Sequence, residues 1–210
     1  ISNTFSYRSL SLSFLIDASV GGSIFSNTNK TGKYTGVLAN TLSGRDAEHG
    51  GLWYYTAAMG NNVRLPESPS YSVSSDGLYY AQVNGQSTRV YQDGIMVEGV
   101  TESGSKNEEV VSAEKYYHRI YSIAEANVYD ASYVKLREVA LSYRLPRLWT
   151  QKLHLQEASV TLTGRNLWTI YKSVPNIDPE SALTTGNAQG VEAYSLPTTR
   201  SFGVNLSVKF

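Results

Sequence analysis

The chain closes on Arg200-Ser201-Phe202-Gly203-Val204-Asn205-Leu206-Ser207-Val208-Lys209-Phe210. Phe202, Val204, Leu206, Val208 and Phe210 are apolar, while Ser201, Gly203, Asn205, Ser207 and Lys209 between them are small or polar. Successive side chains of a strand point to opposite faces, so this stretch reads as a strand with one greasy and one wet face. Such a strand suits a soluble sandwich or a membrane barrel. What the greasy face meets decides between them.

The same period of two recurs upstream. Leu10, Leu12, Phe14, Ile16, Ala18 and Val20 alternate with Ser11, Ser13, Leu15, Asp17 and Ser19. A tilted strand needs about 9–11 residues to cross a hydrocarbon core, which this one has, whereas soluble strands mostly run to about five or six. A tight turn at Arg8-Ser9 joins it to a first arm bearing Phe5 and Tyr7. After residue 131, Val134 and Leu136 share one phase and Val139, Leu141, Tyr143 and Leu145 the other. That slip near Arg137-Glu138 predicts a β-bulge, and Pro146 closes the strand. In the next strand Ala158, Val160, Leu162, Trp168 and Ile170 oppose Ser159, Thr161, Thr163, Arg165 and Thr169, with Gly164 and Asn166 interrupting the apolar side.

Five strands are thus expected at about 1–8, 10–20, 131–145, 156–170 and 198–210, joined by connections that alternate short and long. The long ones are 21–130 and 172–197. Within the first, Thr31 to Ser43 reads as a short helix ending at Gly44, and Ser112 as the cap of a second one carrying Tyr117, Ile120, Tyr121 and Ala124. Between about 49 and 109 regular periodicity is lost. Asp76-Gly77, Asn84-Gly85 and Asp93-Gly94 mark turns there, with a small hairpin around Asn84-Gly85. Outer-membrane barrels place short turns at one end and long loops at the other. The expected fold class is therefore all-β, a stretch of transmembrane antiparallel β-barrel with long extracellular loops that contain short helices.

Composition agrees with a polar sheet protein. Charged residues make up 17% and hydrophobic ones only 41%, so Ser, Thr, Asn, Gly and sixteen tyrosines carry the polarity. The formal net charge is zero and no basic stripe appears, which argues against a nucleic-acid partner. The chain has no cysteine, which removes disulfides, thiolate metal sites and a cysteine nucleophile. No apolar run is long enough for a membrane helix, so any crossing would be made by strands. Ile1-Ser2-Asn3-Thr4-Phe5 starts within an alternating pattern and reads as part of something longer.

The segment Val128-Tyr129-Asp130-Ala131-Ser132-Tyr133-Val134-Lys135-Leu136-Arg137-Glu138-Val139-Ala140-Leu141-Ser142-Tyr143 carries a family likeness. So do Gly164-Arg165-Asn166-Leu167-Trp168, Asp178-Pro179-Glu180 and Pro197-Thr198-Thr199-Arg200-Ser201-Phe202, with weaker matches at 11–17 and 93–100. On these residues the chain resembles the SusC/RagA family of TonB-dependent outer-membrane transporters of Bacteroidetes. The resemblance implies a barrel of about 22 strands closed by a plug, of which this chain supplies the last five. It further implies a SusD-like surface lipoprotein as lid, energy from TonB with ExbB and ExbD, and an oligosaccharide or peptide as ligand. The plug and the TonB-contacting segment are absent from this chain, and residues 45–90 match nothing in the family.

Candidate residues divide by position. On the barrel reading the greasy face of the last strand meets lipid, and Phe210 sits in the periplasmic aromatic girdle and, by resemblance, forms the assembly signal. Arg137 and Arg165 fall near faces that would line the lumen. Trp53, Tyr54, Tyr55, Tyr79 and Tyr80 could stack on ligand, or pack the long loop against itself or the lid. Asp93, Glu98, Glu108 and Glu109 lack the spacing of a calcium loop, and His49, His118 and His154 lack metal-ligand spacing, so no metal or other cofactor is expected. Asp178-Pro179-Glu180 reads as turn chemistry. No nucleophile elbow, phosphate loop or paired catalytic carboxylates occur.

The expected function is TonB-dependent nutrient import across the outer membrane, with no enzymatic step. Two alternatives are a secreted β-sandwich that binds carbohydrate and a passive porin-like channel.

Overall fold

The computed structural model of the chain describes residues 1–152, 154–182, 186 and 188–210. The fold is all-β with few helices. In chain order the first strands are β1 (Ser2–Tyr7), β2 (Leu10–Ser19), β3 (Ser23–Ser26), β4 (Leu52–Thr56) and β5 (Asn62–Arg64). Next come β6 (Tyr71–Val73), β7 (Tyr79–Val83), β8 (Gln86–Met96) and β9 (Val110–Ser112). The last are β10 (Val128–Asp130), β11 (Tyr133–Arg144), β12 (Glu157–Lys172), β13 (Val191–Glu192) and β14 (Ser201–Lys209). Helices are α1 (Asn27–Tyr34), α2 (Ala113–Ser122) and α3 (Arg147–Lys152). The chain divides into two units, residues Ile1–Thr28 with Val128–Phe210, and Asn29–Asn127.

The first unit is built on an antiparallel sheet in the order β1-β2-β11-β12-β14. Directly paired residues share a face, so the register turns the sequence alternation into rows. Leu10, Tyr143, Val160 and Leu206 form one row, and Leu12, Leu141, Leu162 and Val204 the next. Phe14, Val139, Gly164 and Phe202 follow, and Phe5 and Tyr7 of β1 extend the same face. The opposite face carries Ser11, Ser142, Thr161 and Asn205, and the Ser142 and Thr161 hydroxyls meet across the sheet, their oxygens 2.6 Å apart.

The apolar face is bare. Phe202 is 79% exposed, Val204 73% and Leu162 50%. The sheet is open, with β1 and β14 at its edges. Arg8, at φ 55°, turns β1 tightly into β2. Helix α3 occupies the shorter connection between β11 and β12.

Both neighbours of β11 shift register between Leu136 and Glu138, at the expected bulge. The extra residue changes which face the following side chains occupy. Lys135, Arg137 and Glu138 consequently all emerge on the wet face, while Leu136 and Val139 keep to the apolar one.

The two long connections of this unit meet in a small sheet, in which β3 pairs antiparallel with β10 and parallel with β13. Ile24, Val174 and Ile177 form its apolar cluster, flanked by Tyr129 and Ala131. Glu192 is fully buried beside it and accepts hydrogen bonds from the hydroxyls of Ser26 and Thr28 and the N–H groups of Thr28 and Ser195. Burial favours the neutral acid, but those donors outweigh it and hold the Glu192 carboxyl below its ordinary pKa.

The second unit corrects the expectation for residues 49–109. In place of aperiodic loop it contains a sheet in the order β5-β4-β8-β7-β6, with β9 added to β8. Trp53, Ala81 and Val90 make its core, with Tyr55, Leu65, Tyr79 and Val83 packed around them. The hairpin at Asn84-Gly85 is present, both residues at positive φ (50° and 77°), the type I′ requirement.

Asp93-Gly94 is not a turn but lies inside β8. A Cβ on Gly94 would come within 2.5 Å of the Leu52 carbonyl oxygen, so glycine serves close strand approach there. The helix expected over Thr31–Ser43 is also corrected. Helix α1 is over by Tyr34, Gly36 takes φ 71°, and a single 3-10 turn follows at Ala39–Leu42. The break lets Leu38 fold back onto Gly32, where any Cβ would meet the Leu38 side chain at 2.7 Å. Ser112 does cap α2, its Oγ accepting the Lys115 N–H at 3.3 Å.

Candidate functional site

On the wet face of the first unit, β11 presents Tyr133, Lys135 and Arg137 in one file by simple alternation, and the bulge adds Glu138 to the same face. Two carboxylates descend on this file from the connection after β12. Lys135 Nζ donates to Asp178 Oδ1 at 2.5 Å and to Glu180 Oε2 at 2.6 Å. Arg137 bridges Asp17 of β2, by Nε at 3.0 Å and Nη2 at 2.9 Å, to Glu180 Oε1. The Tyr133 hydroxyl donates to Glu180 Oε1 at 2.9 Å. One strand on, Arg165 Nε donates to Glu138 Oε2 at 2.9 Å.

Lys135 is only 3% exposed and Asp178 9%. A buried ion pair offsets its desolvation only when further hydrogen bonds satisfy both partners. Asp178 meets that condition. Its Oδ2 accepts both the N–H and the hydroxyl of Thr198 at 3.2 and 2.6 Å, and its Oδ1 accepts the Glu180 N–H at 3.1 Å. Burial pushes the Asp178 pKa up, yet Lys135 and Thr198 outweigh it and hold the carboxyl well below the usual carboxylate range. Burial likewise raises Glu180, and the bonds from Arg137, Lys135 and Tyr133 bring it below its ordinary value.

These groups are thus fixed in their charged forms and mutually neutralised. Such an arrangement fastens Asp178, Glu180 and, through Asp178, Thr198 onto the wet face of the sheet. Among the described residues no cluster of His, Cys, Asp or Glu suits a metal ion.

Arg137 and Arg165 both lie on the wet face, each held by carboxylates. Asp178-Pro179-Glu180, read from sequence as a turn, is the loop side of the clamp. The available signal was the alternation of Tyr133, Lys135 and Arg137, which announces a polar face seeking anions. Glu192 left no comparable trace, because its partners are neutral hydroxyls and amides.

The aromatic candidates are placed differently. Trp53 and Tyr54 are buried, at 7% and 4% exposure. Trp53 packs between Tyr71 and Tyr79, with ring centroids 5.1 and 5.7 Å away. Tyr54 stacks on Tyr91 at 5.1 Å and donates its hydroxyl to Asp93 Oδ1 at 3.2 Å. Burial, then the Asp93 charge, push the Tyr54 phenol above its usual pKa. Tyr55, Tyr79 and Tyr80 are half-buried. The structure therefore uses Trp53 and Tyr54 to pack the unit. Phe210 is 84% exposed, just beyond the end of β14.

No family model matches the chain. Over 94 residues, 42% of the chain, it is 34% identical to TonB-dependent receptor P3 of Formosa agariphila. The match takes in 9% of that receptor, so the chain spans a small part of the curated relative's length. Solved structures of the RagAB peptide importer in its closed-closed and open-open states align with the whole chain and 16% of their own, at a TM-score of 0.45 and 15% identity. Over those 94 residues, the chain is similar to a TonB-dependent receptor.

Proposed function

We propose that this chain forms the last five wall strands of a SusC/RagA-type barrel of about 22 strands, which imports a nutrient across the outer membrane with energy from TonB, ExbB and ExbD. The observation that carries the reading is the bare apolar face of the five-stranded sheet. Rows such as Leu12, Leu141, Leu162 and Val204 run across four strands, and every member is exposed. In water such a face invites association, whereas against lipid it is the required outer surface of a barrel.

The wet face would line the lumen, and the clamp at Lys135 and Arg137 would hold one external loop at its mouth. The second unit would form the other external loop, facing a SusD-like lipoprotein lid and an oligosaccharide or peptide ligand. The plug and its TonB-contacting segment would lie elsewhere in the protein, and Phe210 would serve assembly.

Neighbouring cysteines test this. In the intact protein in native membranes, Thr161→Cys should react with a water-soluble maleimide and Leu162→Cys should not, its reactivity appearing only after solubilisation and unfolding. Equal aqueous labelling of the two positions in membranes would sink the barrel and favour the soluble sandwich.

A further inference from the structure

Beside the edge strand β5, the second unit holds an open trough of about 850 Å³, the size range of sites that bury an extended small ligand. Its floor includes the buried Val110 and Val111, and Arg64, Lys106, Lys115 and Arg119 stand around it against Glu108 and Glu109. Arg119 is 3.5 Å from Glu109, an exposed and therefore weak pair. Among the described residues Arg64, Lys106 and Lys115 have no ion-pair partner. In a chain of zero net charge this is a local excess of cations.

The backbone adds direction. Strand β5 pairs only with β4, at one end of the sheet. Leu65 donates its N–H to Trp53 at 2.8 Å and Ala57 donates to Asn61 at 2.9 Å. In an antiparallel pair the bonded positions alternate, so Val63 faces β4. The main-chain N–H and C=O groups of Asn62 and Arg64 therefore point outward along the edge that lines the trough. Exposed edges of this kind are templates for an added strand.

We propose that the trough docks an extended acidic polypeptide segment, which adds to the edge of β5 through Asn62 and Arg64. Its carboxylates, on alternate residues, meet Lys106, Lys115 and the Arg64 guanidinium. Hydrogen bonds to the edge select a peptide backbone over other anions, and the cations select acidic side chains. This inference goes beyond the transport reading and stands on the second unit alone, so either can fail without the other.

The probe is a fluorescein-labelled peptide of about eight residues alternating glutamate and threonine, added to the intact solubilised protein and followed by polarisation. Binding should be saturable, weaken as salt rises, and drop about tenfold or more in Lys106→Ala/Lys115→Ala, whose side chains are exposed and dispensable for folding. Methylating alternate backbone nitrogens of the peptide should cause a loss of similar size. Absence of binding, an unchanged Lys106→Ala/Lys115→Ala variant, equal binding of the N-methylated peptide, or equal competition by an oligogalacturonate would each overturn the proposal.

Discussion

The five-stranded sheet of the first unit and the sheet of the second unit treat their apolar side chains in opposite ways. In the second unit Trp53, Ala81 and Val90 turn inward, and tyrosines close over them. In the first, the rows through Leu141 and Leu162 turn outward and the ion pairs lie on the other face. The same strand chemistry, alternation with β-branched and aromatic residues, thus serves a self-sufficient core in one place and an uncovered surface in the other. Composition alone cannot separate the two arrangements; what distinguishes them is whether the long residues of one face meet each other or meet nothing.

The largest expected effects attack each unit at its centre. Trp53→Ala should cost the second unit about 3–5 kcal/mol, the usual loss on truncating a buried Trp. Hydrogen exchange should show it as lost protection in β4 and β8 with β11 and β12 unaffected, and a loss spread over all of these strands would erase the distinction between the units. In the first unit Lys135→Ala should cost a comparable ~3–5 kcal/mol, because it strands the buried Asp178 carboxylate. Denaturant titration reads the loss, and Asp178→Asn in the same background should recover part of it.

A smaller effect sharpens the contrast of faces. Leu162→Arg should destabilise the protein in bilayers by about 2–4 kcal/mol if it faces the hydrocarbon, against little change for Thr161→Arg on the wet face. Reversible urea unfolding in lipid vesicles measures both, and equal values would remove the reason for calling the two faces different. Ser112→Ala, which removes the cap of α2, should cost about 1 kcal/mol, visible as faster exchange of the Lys115 amide.

The subtlest effect is graded with pH. The folded pKa values of Asp178 and Glu180 are depressed, so their stabilisation is complete at neutral pH. It should fade as pH falls below the ordinary carboxylate range, about 4, and through the folded values. A spin label at Gln189→Cys should become mobile over that acid range in the wild-type background. In Lys135→Ala it should already be mobile at pH 7, and a label indifferent to both would show that the clamp does not hold the loop.

What could be read from the sequence follows from the range of the physics involved. The alternation in Leu10–Ser19 and Ser201–Lys209 is local, and so is the slip at Arg137; both appear in the sheet as read. Asn84-Gly85 and Ser112 were legible for the same reason, since a turn or a cap needs only its own neighbours. The sheet of the second unit was not, because β5 and β6 hold three residues each and show too little pattern to count. Asp93-Gly94 misled because a glycine needed for close strand approach looks the same as one needed for a turn. The clamp escaped notice because Asp178 lies 43 residues from Lys135, and nothing within Asp178-Pro179-Glu180 announces a distant cation.

The bulge at Arg137 has a further consequence, best put as parity. Before it, even-numbered residues of β11 (Val134, Leu136) are apolar; after it, odd-numbered ones (Val139, Leu141, Tyr143) are. One strand therefore carries two reading frames spliced at a single residue. Deleting Arg137 would let Leu136, Glu138 and Val139 follow one another in a single frame against Ile16, Leu15 and Phe14, so both halves would keep their faces while the strand lost its bulge and the guanidinium that joins Asp17 to Glu180.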